Sequence, residues 1–133
     1  MDAALEELVR HRAGGRCEYC RLPQLGSRAP FEIDHIIPRK HRGPTVARNL
    51  ALSCVYCNAF KGPNLTGLDP ATGKLTRLYH PRLHKWTYHF RFQGSTLIGR
   101  TAIGRTTIDV LQMNHPEIVA LRDILMDGGL FHA

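Results

Sequence analysis

Four cysteines in two identical pairs are the residues whose spacing most directly predicts chemistry. Cys17 and Cys20 form one Cys-x-x-Cys pair, Cys54 and Cys57 form the other, and 33 residues separate the two. Each pair turns tightly enough to direct both sulfurs at one point, so the two pairs together can bind a tetrahedral zinc ion. A thioredoxin-like redox pair, which would not need a second copy, and four unrelated buried thiols are the alternatives. Four thiolates leave no open coordination position, which makes this zinc structural.

A second group of polar residues lies between and beside these pairs: Asp34, His35, Asn49 and Asn58. Each has an ordinary explanation when taken singly, as a strand histidine, a turn residue or a helix-surface amide. Their joint order within the cysteine framework favours a catalytic site instead. Any catalytic ion must then be bound away from the zinc.

The pattern of apolar and turn residues places both groups on short elements. Residues 2–12 predict a helix with Asp2 as its N-cap, ended by Gly14 and Gly15. Residues 31–37 predict a strand that carries Asp34 and His35, and residues 38–48 predict a basic loop. A second strand over residues 50–53 and a helix over residues 54–61 follow. The order is strand, loop, strand, helix.

The remainder of the chain predicts a hairpin and two helices. Strands are expected at residues 75–79, 89–93 and 95–101, with Gly94 as the hairpin turn and the aromatic residues Trp86, Phe90 and Phe92 as its packing face. Residues 106–113 and 116–126 predict helices, the second with Ile118, Leu121, Ile124 and Leu125 on one side. The predicted fold class is α+β.

Length and composition indicate a single globular domain over residues 1–133. Hydrophobic residues make up 43% and charged residues 22% of the 133 residues, which is typical of globular proteins. The start of the chain lacks the layout of a signal peptide and no apolar run is long enough to cross a membrane. We therefore expect a cytoplasmic protein without a membrane partner.

The distribution of charge points to a polyanionic partner. The net charge is +7, and twelve Lys or Arg residues but one acid, Asp69, lie between His35 and Ile108. A solvated surface normally mixes its signs, so this asymmetry favours a face that contacts phosphate.

The stretch EIDHIIPRKHRGPTVARNLALSCVYCNAFKG, residues 32–62, resembles the HNH endonuclease family. That family is recognised by Asp-His, then Asn, then His or Asn beside a Cys-x-x-Cys pair, and this sequence is similar to its zinc-knuckle, stand-alone bacterial branch. The motif covers residues 17–62. The resemblance implies a zinc-ribbon-like ββα-metal (His-Me finger) unit, joined here to a basic hairpin and helices at residues 75–133.

The resemblance also implies roles for individual residues. His35 would be the general base for the attacking water, and Asn49 would fix the loop that orients it. Asp34 and Asn58 would hold a divalent ion, and because Asn58 stands where His is commoner, magnesium or manganese is expected. Arg42 stands where Gly is frequent, so the loop backbone is expected to differ locally. The proposed phosphate contacts are Arg39, Lys40, Arg42 and Lys61.

These features together predict a metal-dependent endonuclease that hydrolyses phosphodiester bonds in duplex DNA, with no organic cofactor. The alternative is a noncatalytic zinc-ribbon module that binds nucleic acid. His80, His84 and His89 could form another metal site, but without a nearby acid or Cys they fit core or DNA-facing positions better. Trp86 fits a core position better than base stacking. Oligomeric state and biological role are not predicted.

Overall fold

A computed structural model describes residues 1–132. Within that range the fold mixes helices with three separate antiparallel hairpins, which confirms a mixed α and β class. Helix α1 spans Ala3–Arg12, and the Asp2 side chain caps it by accepting a hydrogen bond from the Leu5 amide at 2.8 Å. Gly14 and Gly15 follow the helix with positive φ, a conformation in which glycine has no steric penalty.

The hairpin that carries Asp34 and His35 comes next. Strand β1, Glu32–His35, pairs antiparallel with β2, Leu50–Ser53, so that Asp34 lies opposite Ala51. Helix α2, Val55–Lys61, begins directly after β2. The predicted order of strand, loop, strand and helix is confirmed, and the loop includes two short 3-10 turns, Arg39–His41 and Ala47–Asn49.

The second half of the chain differs from the sequence prediction in three places. Residues 63–74 were expected to form turns, but they contain a short strand that pairs with the strand after it. A single helical turn precedes the predicted hairpin. The first of the last two helices begins earlier than predicted. The elements are β3 (Thr66–Leu68), β4 (Leu75–Arg77), α3 (Trp86–His89), β5 (Phe90–Gln93), β6 (Thr96–Gly99), α4 (Ala102–Val110) and α5 (Pro116–Asp127).

Local hydrogen bonding explains the early start of α4. The Thr101 hydroxyl accepts a hydrogen bond from the Gly104 amide at 3.0 Å and so caps the helix five residues before the predicted start. Gly104 is required there, because a Cβ at this position would lie 2.1 Å from the His89 carbonyl oxygen. The periodicity of apolar residues did not predict this early start, because the first three residues of α4 are Ala, Ile and Gly.

The two halves share one hydrophobic cluster that includes Val9 of α1 and Phe131 near the end of the described chain. Trp86 joins them directly, since it is buried and its indole Nε1 donates a hydrogen bond to the Tyr19 carbonyl oxygen at 2.7 Å. Ile118 and Leu125 of α5 are buried as expected, but Ile124 is 68% exposed and does not belong to the packed face. None of the helices between residues 1 and 132 has the length and apolar composition needed to cross a membrane.

Candidate active site and metal centre

The four cysteine sulfurs converge on one point. All four Sγ atoms lie within 4.8 Å of one another, and Cys20 Sγ is 3.7 Å from Cys54 Sγ. The residues are buried and none is in a disulfide. Hydrogen bonding with Cys17 raises the pKa of the Cys20 and Cys57 thiols well above their usual value, so a cation is needed to make all four thiolates stable together.

Each cysteine pair has the same local geometry. The Cys20 amide donates to Cys17 Sγ at 3.5 Å, and the Cys57 amide donates to Cys54 Sγ at 3.4 Å. The second contact is also the N-cap of α2, so metal binding and the start of that helix depend on the same sulfur. This arrangement of donors fits a zinc ion.

Arg122 supplies a separate observation that fits a zinc centre. Its side chain is fully buried in α5, and Nε and Nη1 have no hydrogen-bond partner, while Nη2 donates to the Met113 carbonyl oxygen. Burial lowers the pKa of this guanidinium, whereas negative charge on Cys20, Cys57 and Cys54 opposes that shift. A zinc ion with four thiolates carries two net negative charges, and Arg122 places a positive charge close to them.

Asp34 and His35 are neighbours on β1 and therefore point to opposite sides of the hairpin. Asp34 points inward and is 7% exposed. The Tyr19 hydroxyl donates to its Oδ2 at 2.6 Å, and Lys61 Nζ lies 3.1 Å from Oδ2 and 3.3 Å from Oδ1. Burial raises the pKa of the Asp34 carboxyl, although Lys61 and Tyr19 act in the opposite direction. Both of its oxygens are thus already engaged by protein donors.

His35 points to the other side, where it is half-buried. Its Nε2 lies 2.8 Å from the Thr45 hydroxyl oxygen, and this contact fixes the orientation of the ring. Burial, together with the positive charge of Arg39, lowers the pKa of the imidazole below its usual 6.5. The ring is therefore neutral at physiological pH and able to accept a proton.

Asn49 joins the two ends of the basic loop. Its Oδ1 accepts a hydrogen bond from the Ile37 amide at 2.9 Å, and its Nδ2 donates to the carbonyl oxygens of Ile37 and Pro44 at 3.0 and 2.9 Å. The side chain is 4% exposed. The three hydrogen bonds of this buried amide fix the conformation of the loop segment that follows His35.

Asn58 lies on α2, where it is half-buried, and its position three residues before Lys61 places it on the same face of the helix. That face is the one that approaches Asp34, because Lys61 Nζ contacts the Asp34 carboxylate and donates to the His35 carbonyl oxygen at 3.1 Å. The structure thus brings Asp34, His35, Asn49 and the Asn58-bearing face of α2 to one end of the hairpin.

Comparisons with known proteins identify the family that this part of the chain resembles. Residues 17–63 match the HNH endonuclease family. The resemblance seen in the sequence is confirmed over this range, which we call the HNH segment. The chain is also 27% identical over 104 residues to the Septu protein PtuB of Bacillus thuringiensis. That alignment covers 77% of this chain and 38% of the length of the relative. No solved structure matches the chain significantly.

Outside the HNH segment, the histidines and Trp86 contribute to packing. Among residues 1–132 the four cysteines are the one cluster of at least three His, Cys, Asp or Glu residues with metal-binding geometry, so His80, His84 and His89 do not form a second such site. The rings of His84 and His89 pack against Tyr79, and the His80 ring packs against His84. The Nδ1 atoms of His80 and His84 accept backbone hydrogen bonds. Trp86 occupies the core position that the sequence favoured.

The twelve Lys and Arg residues between His35 and Ile108 divide into two classes. Three are held by carboxylates: Lys61 by Asp34, Arg82 by Glu18 and Arg105 by Asp69. The other nine are exposed: Arg39, Lys40, Arg42, Arg48, Lys74, Arg77, Lys85, Arg91 and Arg100. Lys61, which the sequence suggested as a phosphate contact, is 2% exposed and hydrogen bonded to Asp34 and to the His35 carbonyl oxygen, so that suggestion requires correction.

Two residues of the HNH segment have roles that the sequence did not reveal. Tyr19 is buried between the first cysteine pair and bonds to Asp34, and Lys61 faces inward because α2 turns it toward β1. The position of Tyr19 between Cys17 and Cys20, beside the predicted zinc site, was an available clue to its burial. The inward turn of a lysine at a helix end has no sequence clue, since such lysines usually reach solvent.

Proposed function

We propose that the chain is an HNH nuclease unit that hydrolyses phosphodiester bonds in DNA, with His35 as the general base. The main support is the state of His35: it is half-exposed, oriented by Thr45, and has a lowered pKa that leaves it neutral at physiological pH. A neutral imidazole in a fixed orientation can remove a proton from an attacking water. The match of residues 17–63 to the HNH endonuclease family supports the proposal of nuclease chemistry.

The other residues would position substrate and water. Asn49 holds the loop that carries Arg39, Lys40 and Arg42, and these three exposed cations lie directly after His35, where a DNA phosphate would approach. Duplex DNA is the proposed substrate because the exposed cations extend over much of the chain beyond the HNH segment. Residues 1–133 would act as one unit of the ββα-metal type, with residues 75–133 as a basic extension of the 17–62 motif.

Two metals belong to this proposal. A structural Zn²⁺ would be bound by the four cysteines, whose geometry fits it. A divalent ion, Mg²⁺ or Mn²⁺, would be bound by the oxygens of Asn58 and Asp34, and when bound it would stabilise the charge that develops on the phosphate and the leaving oxygen. The carboxylate of Asp34 does not fit a direct ligand in its present contacts, since Lys61 and Tyr19 engage both oxygens.

That same observation favours the second candidate, a zinc-ribbon module that binds DNA without cutting it. The deciding experiment is incubation of supercoiled plasmid with the purified protein and Mg²⁺ or Mn²⁺, in parallel with His35→Ala. We expect nicking by the parent protein and a loss of at least about 10²-fold in the variant, which is typical of a missing general base. Zinc content and DNA affinity should be unchanged in His35→Ala. Equal nicking by both proteins would exclude His35 as the base, and DNA binding without nicking would favour the module.

A further inference from the structure

The ion pair between Lys61 and Asp34 is buried, although lysine side chains usually lie at the protein surface. Lys61 is 2% and Asp34 is 7% exposed, so both charges are withdrawn from water. The ammonium lies 3.1 Å from Asp34 Oδ2, 3.3 Å from Oδ1 and 3.1 Å from the His35 carbonyl oxygen. Two of these contacts are hydrogen bonds, to Oδ1 and to the His35 carbonyl oxygen, and the contact with Oδ2 is an ion pair.

The remaining capacity of the carboxylate is limited as well. The Tyr19 hydroxyl donates to Oδ2 at 2.6 Å, a short distance typical of a bond to a charged oxygen. Hard cations such as Mg²⁺ approach carboxylate oxygens to about 2.0–2.1 Å and Ca²⁺ to about 2.3–2.6 Å. A divalent ion in such contact with Asp34 would face the Lys61 ammonium at close range in a buried setting, where like charges repel strongly. The two cations cannot share this carboxylate in its present geometry.

We propose that Lys61 and a divalent ion are alternative partners of Asp34, so that an ion binds the carboxylate only when the Lys61 ammonium leaves it. The identity of the ion rests on the proposed nuclease function, but the competition rests on the contacts of Asp34. Lys61 is a positioning residue in this scheme: without the ion it holds the Asp34 carboxylate and the His35 main chain together.

The surroundings of Lys61 allow the exchange. A small cavity borders its side chain and is lined by Asn64, Tyr79 and His80 among others. The lysine stem has four rotatable carbons and is able to redirect the ammonium without a change in the path of α2. Tyr19, by contrast, is fully buried between the zinc-ligating cysteines and has no comparable freedom. Lys61 is therefore the partner of Asp34 that moves.

The competition predicts that removal of the lysine charge strengthens metal binding. We would measure Mn²⁺ binding to the zinc-loaded protein from the loss of the free Mn²⁺ electron paramagnetic resonance signal, at about pH 8 so that Asp34 is ionised. Lys61→Gln and Lys61→Met should bind Mn²⁺ at least about tenfold more tightly than the parent protein, the effect of removing one competing charge-assisted hydrogen bond. Lys61→Gln keeps an amide donor for the His35 carbonyl oxygen. If Lys61→Met loses zinc, the Mn²⁺ affinity of Lys61→Gln tests the proposal.

Matched variants separate this effect from general loosening of the fold. Lys61→Arg keeps the cation and should show no gain in Mn²⁺ affinity. Arg105→Met breaks the remote ion pair with Asp69 and should also leave the affinity unchanged. In an Asp34→Asn background, Lys61→Gln should have no effect, because the shared partner is gone. Equal or weaker Mn²⁺ binding by zinc-loaded Lys61→Gln, or an equal gain in Arg105→Met, would overturn the proposal.

Its failure is distinguishable from failure of the nuclease proposal. Tighter Mn²⁺ binding by Lys61→Gln with no nicking of plasmid by any variant would support the competition and reject the enzyme. Mn²⁺-dependent nicking by the parent protein, with an affinity that does not respond to Lys61, would support the enzyme and reject the competition. A lack of Mn²⁺ binding in every variant would reject the competition.

Discussion

Asp34 and His35 are adjacent in the sequence yet lie in opposite environments. Because side chains alternate along a strand, Asp34 points into the interior, where burial raises its pKa. His35 points to the opposite, partly exposed side, where partial burial and the positive charge of Arg39 lower its pKa. The sequence predicted that both residues lie on a strand and that Asp34 binds an ion. It did not predict the protein side chains that contact Asp34. Those partners, Tyr19 and Lys61, are 15 and 27 residues away in the chain, and only the packed structure brings them together.

The lowered pKa of His35 predicts the shape of the pH profile. In the proposed mechanism the neutral imidazole is the active form, so kcat/KM for nicking should fall as the pH drops through the pKa of His35 and be constant above it. That acidic limb should lie below pH 6.5, the usual value for histidine. Arg39→Gln should move the limb upward, because it removes a positive charge that lowers the pKa. Arg91→Gln, which removes an exposed charge elsewhere, should not; a limb above 6.5 in the parent protein would contradict the assignment.

Among the elements, the basic loop after β1 shows most clearly what a sequence can and cannot predict. Its limits, its turn residues and Asn49 as the residue that closes it all followed from the pattern of Pro, Gly and Asn. Arg42 was expected to alter the backbone where Gly is frequent, and it adopts a left-handed φ of 67°, the conformation that glycine takes without strain. The three hydrogen bonds of Asn49 did not follow, because they join atoms that meet only after the loop has closed.

Gly43 offers a test of how closely this loop is packed. A Cβ on Gly43 would lie 1.7 Å from the Ile37 carbonyl oxygen and 2.9 Å from Asn49 Nδ2, so Gly43→Ala must displace the backbone or break the Asn49 hydrogen bonds. We expect a loss of stability of more than about 2 kcal/mol, measured by chemical denaturation of the zinc-loaded protein. Gly94→Ala is the matched control.

Gly94 has a positive φ of 61° but open space around its Cβ position, so it tests conformation without a clash. Its substitution should cost about 1–2 kcal/mol, the penalty of a left-handed backbone for a residue with a Cβ. If Gly43→Ala were no more harmful than Gly94→Ala, the loop would not be held as tightly as its hydrogen bonds indicate.

At the scale of the whole molecule, ion pairing refines the prediction drawn from net charge. The sequence showed an excess of cations but could not show that Lys61, Arg82 and Arg105 are neutralised by carboxylates distant in the chain. The exposed cations that remain should control DNA binding. Replacement of Arg39, Lys40 or Arg42 by Gln should each reduce the slope of log affinity against log salt by about one.

Arg105→Gln should leave that slope unchanged, because its charge is already paired with Asp69. Fluorescence anisotropy with a short labelled duplex at several salt concentrations makes the comparison. An equal change of slope in Arg105→Gln and in the loop variants would mean that the salt dependence reflects net charge and does not identify a face.

Arg122 of α5 is close enough to the proposed zinc centre for the charge of the cysteines to act on it. We expect one zinc ion per chain, and we expect Cys54→Ser to prevent stable folding, because it removes one of the four thiolate ligands. Arg122→Met should fold but release zinc to a chelator faster than the parent protein, since the negative charge of the thiolates would no longer be balanced. Elemental analysis and a colorimetric zinc-release assay provide the measurements. Zinc release at the parental rate would show that Arg122 serves packing alone.

Because the four sulfurs are buried, a chelator should remove metal from the protein on two separate timescales. Asp34, His35 and Asn49 lie within the 33 residues that the cysteine pairs enclose, so we expect the site to retain its shape only while the thiolates share an ion. A chelator reaches a cation at the half-exposed end of the hairpin directly, but it reaches the buried sulfurs only when the domain opens. Inactivation by a chelator should therefore proceed in two stages. Activity lost early should return with manganese alone, whereas activity lost late should return only with zinc and time to refold.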